Sequence, residues 1–563
     1  MAAPILSIQN LSVALPAGGD RVHAVHNISL QIEPGQTLCV VGESGSGKSV
    51  MATTVMGLLA RELKPVAGQV WLQGESLLEA SSTRLRQLRG QAMGMVFQEP
   101  MTALNPVMTC GDQIDELLTT HTDWPADKRR AEVRQMLEHV RLPDPERMMR
   151  SYPHQLSGGQ RQRIVIAMAV ILKPALLICD EPTTALDVTT QKEILKLIAQ
   201  LQKEQGSAVL FITHDMGVVA EIADQVLVMN QGEAVESGPR LQVLKHPTQP
   251  YTQQLLAAVP SMTPSLRGPQ GRGNPSEDGA AAPRHGERSA AIPEPAALRS
   301  QGRAPLLSGT GVSKTYLSRD WMGRSHPTHA LQAASVAIHA GETVGIVGES
   351  GSGKSTFARC LIRLIDPTGG QIHWGDHEVA TLNERALRPL RSQVQVVFQD
   401  PNRSLNPRRT VGQSLIEGAV NFGLGTAQAQ ALAEKLMTQV RLPVEALRRY
   451  PSQFSGGQRQ RIAIARALAC QPKVLVADEA VSALDVSVQA QILVLLREIQ
   501  AEFGLGLLFI THDLRVAAQL CDRVIVMNQG KIVEQGPTVA LYANPQDPYT
   551  QRLFASAPPA WRP

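Results

Sequence analysis

Thr37-Leu-Cys-Val-Val-Gly42 passes without a break into Gly42-Glu-Ser-Gly-Ser-Gly-Lys-Ser49. The unbroken apolar run predicts a strand buried on both faces. The eight residues after it have the spacing G-x-x-x-x-G-K-[ST], a loop whose backbone N–H groups curl around β- and γ-phosphates. Gly42, Gly45 and Gly47 let the backbone approach where a side chain would obstruct it. The helix that follows adds the positive end of its dipole. Lys48 supplies a point charge, and Ser49 offers a hydroxyl to Mg²⁺. Glu43, Ser44 and Ser46 complete the loop.

The same octapeptide returns at Gly348–Ser355, behind Thr343-Val-Gly-Ile-Val-Gly348. Gly348, Glu349, Ser350, Gly351, Ser352, Gly353, Lys354, Ser355 and the following Thr356 are expected to repeat the phosphate-binding roles. A second acidic element also occurs twice: Leu-Leu-Ile-Cys-Asp180-Glu181-Pro and Val-Leu-Val-Ala-Asp478-Glu479-Ala. An Asp at the end of a buried strand beside the phosphate loop can hold Mg²⁺ through its water shell. The adjacent Glu can orient and partly deprotonate an attacking water. Register confirms the duplication: Lys354 follows Lys48 by 306 residues and Gln399 follows Gln98 by 301. Ser455, Glu479, His512 and Tyr549 each follow Ser157, Glu181, His214 and Tyr251 by 298.

A chain of 563 residues exceeds one hydrophobic core, and the repeat divides it into two similar domains. The expected boundaries are 1–260 and 306–563, joined by a flexible tether at 261–305. That segment is rich in Pro, Gly, Ala and Arg and carries too few large apolar residues to offset its ordering entropy. Each half opens with short alternating segments typical of antiparallel strands. Unbroken apolar strands alternating with helices follow, which implies an α/β domain with a mostly parallel sheet covered on both faces.

Composition narrows the function. Net charge is only +4 and aromatics are 4%, so no nucleic-acid partner is expected. The six cysteines form no C-x-x-C pair, which argues against zinc-ribbon and redox chemistry and fits a reducing compartment. The first residues lack the basic and apolar regions of a secretory signal, and no apolar run reaches the 18 to 20 residues of a spanning helix. A soluble chain is expected, with any membrane work left to other subunits.

Leu156-Ser-Gly-Gly-Gln-Arg-Gln-Arg163 and Phe454-Ser-Gly-Gly-Gln-Arg-Gln-Arg461 resemble the signature of the ABC ATPases. Gln98 and Gln399 match that family's Q-loop, Asp187 and Asp485 its D-loop, and His214 and His512 its switch histidine. The resemblance covers the whole chain except the tether. It implies two tandem P-loop NTPase domains, each with a parallel core sheet, an antiparallel β subdomain and a helical subdomain, binding ATP with Mg²⁺. Catalysis would fall to Glu181, Glu479, His214 and His512, and Mg²⁺ to Ser49, Gln98, Asp180, Ser355, Gln399 and Asp478. Ser157, Gly158, Gly159 and Gln160 open a helix and would complete the ATP site of the other half, as Ser455, Gly456, Gly457 and Gln458 would in return. The two domains would then form an intramolecular head-to-tail dimer. Tyr316 occupies the place of the family's adenine-stacking aromatic, whereas the first half offers Leu15.

His246–Pro260 (HPTQPYTQQLLAAVP) and Asn544–Pro558 (NPQDPYTQRLFASAP) resemble the C-terminal stretch of the oligopeptide, dipeptide and nickel importer ATPases. Phe97–Thr109 is similar to the D-type partner of that family and Phe398–Thr410 to the F-type, as in a natural fusion. Thr213–Gly238 and Ala477–Ser487 resemble its glutathione-importer branch. Some relatives carry cysteines for an iron–sulfur cluster near the PYT segment; none stands there in this chain, so no cluster is expected. The resemblance implies a peripheral ATPase on the cytoplasmic face of a bacterial inner membrane. Two integral-membrane permeases would dock on 99–156 and 400–454, fed by a periplasmic substrate-binding protein. The cargo stays open among glutathione, dipeptides, oligopeptides and nickel chelates. Twin ATPases acting on ribosomes or DNA are the alternative class. They are disfavoured by the Pro/Gly-rich tether, the weak net charge and the lack of zinc cysteines; the PYT stretches disfavour an exporter.

Overall fold

The computed structural model describes residues 3–16, 18, 21–183, 186–264, 304–319, 325–482 and 484–557. The tether expected at 261–305 falls mostly on 265–303, outside the described residues. The chain divides into two compact units. One is Met1–Val259 with Ala483–Gln491 and Ala555–Pro563; the other is Pro260–Ser482 with Ile492–Phe554.

In the first unit, β1 (Leu6–Ala14), β2 (His23–Ile32), β4 (Lys64–Leu72) and β5 (Glu75–Ser76) form an antiparallel sheet in the order β2-β1-β4-β5. The remaining strands are β3 (Thr37–Val41), β6 (Met93–Val96), β7 (Leu176–Asp180), β8 (Ala208–Ile212), β9 (Gln225–Asn230) and β10 (Glu233–Pro239). They form a six-stranded sheet ordered β10-β9-β3-β8-β7-β6. All its pairings are parallel except that of β10 with β9.

The unbroken apolar strands are buried on both faces because side chains alternate across the sheet. Leu38, Val40, Ile178, Leu210 and Ile212 point into a core shared with β1, β2 and the helix Lys48–Val55. Their neighbours Cys39, Val41, Leu177, Cys179 and Phe211 point the other way, into a core with the helices Cys110–His121, Ala126–His139 and Gly158–Val170. Each fully buried Leu, Ile or Val contributes about 1.5–3 kcal/mol relative to exposure. The α/β expectation holds, including the antiparallel and helical subdomains.

The second unit repeats the plan. β11 (Leu307–Arg319), β12 (Ser325–Ile338), β14 (Gly369–Trp374) and β15 (His377–Glu378) make the antiparallel sheet. β13 (Thr343–Val347), β16 (Val394–Val397), β17 (Val474–Asp478), β18 (Gly506–Ile510), β19 (Arg523–Asn528) and β20 (Lys531–Pro537) make the other, ordered β16-β17-β18-β13-β19-β20. Val344, Ile346, Val476, Leu508 and Ile510 share a core with Leu307, Phe357 and Trp374. The Trp374 indole, fully buried, donates to the Leu361 carbonyl at 2.9 Å.

This topology places the chemistry. In parallel α/β sheets, ligands bind beyond the carboxyl ends of the strands. Val40 and Asp180 both pair with Ile212, so β3, β8 and β7 end side by side. The phosphate loop, the Asp180-Glu181 pair and His214 leave the sheet along one edge. Among the described residues, no helix is long and apolar enough to cross a membrane.

Candidate active site

Gly42 has φ 148°, and a Cβ there would collide with the Met229 carbonyl oxygen of β9. The loop therefore lies directly on the sheet, and only glycine permits the approach. Lys48, although 5% exposed, is fully engaged: its Nζ donates to the Gly42 and Glu43 carbonyls at 2.7 and 2.8 Å and to Ser46 Oγ at 3.3 Å. Burial lowers the Lys48 pKa, while Glu181 and Asp180 counteract that. Lys354 repeats the geometry, donating to Gly348 and Glu349 at 2.9 and 2.8 Å.

The acidic pair comes next. Ser49 Oγ donates to Asp180 Oδ1 at 3.0 Å, and Ser355 Oγ to Asp478 Oδ1 at 3.0 Å. Burial raises the pKa of both aspartates against the pull of these hydroxyls. Gln98 Nε2 donates to Glu181 Oε2 at 3.0 Å, and His214 Nδ1 lies 3.3 Å from the same oxygen. In the second unit, Gln399 Nε2 reaches Glu479 Oε2 at 3.0 Å and His512 Nδ1 lies 3.5 Å away. Burial pushes the His214 imidazole down, yet the hydrogen bond and charge of Glu181, with Asp215, hold it above its ordinary value. Burial likewise pushes Glu479 up, and His512 and Lys354 draw it below the usual carboxylate range.

Glu181 and Glu479 both have left-handed backbones, φ 47° and 51°. Such strain costs on the order of 1–3 kcal/mol and needs surroundings that enforce it. Here Glu181 N–H donates to the Ile212 carbonyl at 3.0 Å, and Glu479 N–H to Ile510 at 3.0 Å, tying each residue back to the neighbouring strand. Nothing in the residue types foretells this conformation.

Ser157 and Ser455 each cap a helix, Gly158–Val170 and Gly456–Leu468. Ser157 Oγ accepts from the Gln160 N–H at 3.3 Å while Gln160 Oε1 accepts from the Ser157 N–H at 3.0 Å. Ser455 and Gln458 do the same at the same distances. The N–H groups of each first helical turn form the positive end of the helix dipole, the end that favours an anion. Tyr316 sits on β11 paired with Thr328, 42% exposed, with Lys314 Nζ 5.2 Å from its ring centroid. Leu15 is half-buried, its N–H donating to the Val22 carbonyl at 2.9 Å.

Two features lie beyond the sequence reading. Arg359 Nη2 lies 3.7 Å from Asp478 Oδ2, whereas the corresponding Thr53 donates its hydroxyl to the Ser49 carbonyl at 2.8 Å. The PYT tyrosines also reach the site: Tyr251 and Tyr549 hydroxyls accept from the Glu43 and Glu349 N–H groups at 3.3 and 3.1 Å. The doubled P-Y-T was the available signal, but it marks kinship rather than contact.

Both loops suit a nucleoside triphosphate. Gly45 and Gly351 have open space where a Cβ would stand, and among the described residues the buried Ser352 hydroxyl has no hydrogen-bond partner. The hydroxyl, amide and carboxylate oxygens beside each loop are the hard donors that suit Mg²⁺. Residues 25–184 and 331–482 match the ABC transporter family.

The chain belongs to that family. Residues 235–284 and 533–563 also match the oligopeptide/dipeptide transporter C-terminal region. The glutathione import ATP-binding protein GsiA of Salmonella typhimurium (strain LT2) is 47% identical over 99% of this chain and 90% of its own length. The proteins of that name from Shigella dysenteriae serotype 1 and Escherichia coli (strain K12) are each 46% identical over the same shares. The chain is an ATP-binding, ATP-hydrolysing subunit of an ABC importer, a role that calls for separate membrane permeases.

Proposed function

We propose that this chain energises uptake of glutathione or a small peptide across a bacterial inner membrane, working peripherally on its cytoplasmic face. The observation that carries the reading is the duplicated ABC transporter match together with two importer-type C-terminal segments. The names of the glutathione-import relatives supply the cargo class. Two permeases docked on 99–156 and 400–454, and a periplasmic binding protein, complete the assembly.

Within each site, Gly42–Ser49 or Gly348–Thr356 binds the phosphates. Glu181 or Glu479 orients the attacking water and accepts its proton, and His214 or His512 holds that carboxylate in place. Ser49, Asp180 and Gln98, or Ser355, Asp478 and Gln399, would hold Mg²⁺, which neutralises developing phosphate charge. The signature segments Ser157–Gln160 and Ser455–Gln458 each complete the site of the other domain. Closure then depends on the γ-phosphate, and hydrolysis releases it. A fused chain supplies both halves at fixed stoichiometry, with 1–260 and 306–563 as the ATPase domains and 261–305 as the tether.

The deciding experiment is co-expression with candidate importer permeases, followed by purification and uptake into proteoliposomes. Retrieval of a complex with two permeases, and ATP-dependent uptake of labelled glutathione abolished by Lys48→Ala with Lys354→Ala, is the expected result. Uptake of dipeptides or nickel chelates in preference to glutathione would replace the cargo. Sedimentation with ribosomes and no permease would refute the importer reading.

The adenine contacts are expected to differ between sites. Tyr316→Ala should weaken ATP binding at the Lys354 site roughly twofold to tenfold, the loss of one aromatic stack. Leu15→Ala should leave the Lys48 site unchanged. Equal affinities of the two sites, each measured with the other disabled, would contradict the stacking role of Tyr316.

A further inference from the structure

Each importer-type segment carries a short helix, Pro250–Ala257 or Pro548–Ser556, whose tyrosine hydroxyl meets the phosphate loop. Its seat is built from the preceding strand. Glu236 of β10 accepts from the Thr248 N–H and hydroxyl at 2.8 and 2.9 Å and from the Gln249 N–H at 3.3 Å. Glu534 of β20 accepts from the Gln546 and Asp547 N–H groups at 2.8 and 3.1 Å. Leu255 and Leu553 are buried beneath the helices. From this helix the Tyr251 or Tyr549 hydroxyl reaches the loop.

The hydroxyl meets a particular peptide. Glu43 N–H and Gly42 C=O belong to the same planar unit, so fixing one direction fixes the other. Tyr251 takes the N–H, and Lys48 Nζ takes the carbonyl at 2.7 Å. In the second unit, Tyr549 takes the Glu349 N–H and Lys354 Nζ takes the Gly348 carbonyl at 2.9 Å. This peptide follows a glycine, the residue least able to resist a flip. On its far side, the Gly232 N–H holds the Ser46 carbonyl at 3.1 Å, and Gly530 holds Ser352 at 2.9 Å.

We infer that Tyr251 and Tyr549 are positioning residues for nucleotide binding: each hydroxyl locks the first peptide of its phosphate loop and thereby aims the phosphate-binding lysine. The inference rests on the reading that these loops bind ATP. It gives the importer-type C-terminal segment a role inside the ATPase site. Pre-organisation of this kind acts mainly on nucleotide affinity, because a loop that must reorder on binding spends part of the binding energy. The Tyr251 hydroxyl stays protonated in the working range, since burial pushes its pKa up to about 12.

The test uses the full chain with Lys354→Ala, so that only the Lys48 site binds, and trinitrophenyl-ATP as the fluorescent probe. Tyr251→Phe is expected to raise the Kd about threefold to tenfold, the effect of leaving one backbone N–H without its partner. Gln253→Ala, on the same helix, removes a side-chain bond to the Pro247 carbonyl and should leave the Kd unchanged. Turnover at saturating ATP, measured in the otherwise unaltered chain, should stay within about twofold for Tyr251→Phe, placing the effect in KM rather than kcat. An unchanged Kd for Tyr251→Phe would overturn the inference. So would an equal rise for Gln253→Ala, which would reduce the tyrosine to a helix anchor. Failure of the Lys354→Ala parent to bind the probe would overturn the ATP-site reading itself.

Discussion

Steady-state ATP hydrolysis is expected to fall by about 10²–10⁴-fold when Glu181→Gln and Glu479→Gln are combined, the usual contribution of a positioned general base. Each single change should remove at least half of the activity. Both carboxylates sit in the same cage: Gln at 3.0 Å in each, and His at 3.3 Å for Glu181 and 3.5 Å for Glu479. Each carboxylate thus has the same amide and imidazole neighbours. The substitution is isosteric and keeps the left-handed backbone, so a purified variant should bind ATP and melt like the parent. If one single variant hydrolyses ATP at the parental rate, the sites are unequal and the symmetric reading fails. The Arg359 contact with Asp478, absent from the first unit at Thr53, would then be the first place to look.

The second large effect is structural. Gly42→Ala should abolish ATP binding at the Lys48 site and destabilise the first unit. The new Cβ would overlap the Met229 carbonyl oxygen and also crowd Ser46 Oγ, at a backbone φ of 148°. A shift of the loop away from β9 would disturb the Lys48 bonds to Gly42, Glu43 and Ser46. The cost is on the order of 3 kcal/mol, in the range of other strained or overpacked sites. For a unit of this size that corresponds to roughly 6–12 °C in Tm. Gly45→Ala is the graded control: its Cβ would meet nothing within 4 Å, so only the φ of 78° resists it. It should cost about 1–2 kcal/mol and weaken ATP binding without abolishing it. Calorimetry and nucleotide titration of both variants check the ranking. Similar losses for both would mean that backbone conformation, not the contact with β9, keeps the loop on glycine.

The legibility of the site had a simple cause. Phosphate binding demands backbone access, and backbone access demands glycine at fixed intervals, so Gly42, Gly45 and Gly47 declare themselves in one dimension. Asp180 and Glu181 follow a strand whose burial is visible as Leu-Leu-Ile-Cys. His214 was legible only by family likeness, since its contact with Glu181 joins residues 33 positions apart. Asymmetry at Leu15 and Tyr316 could be named from alignment, whereas Arg359 beside Asp478 could not, because an arginine one turn into a helix is ordinarily a solvated charge.

From residue order alone came the two α/β halves, their phosphate loops, the acidic pairs and the signatures, since each is a local pattern of period, glycine or charge. The tertiary structure alone decided three things. The carbonyl of Met229 lies against Gly42 because β9 pairs with β3, which is a matter of sheet order. Glu181 takes a strained backbone because Ile212, on the neighbouring strand, accepts its N–H. Tyr251 meets Glu43 across 208 residues because β10 returns the C-terminal segment to the loop. Each depends on which strands become neighbours, and strand neighbourhood is set by burial over the whole unit rather than by any stretch of it.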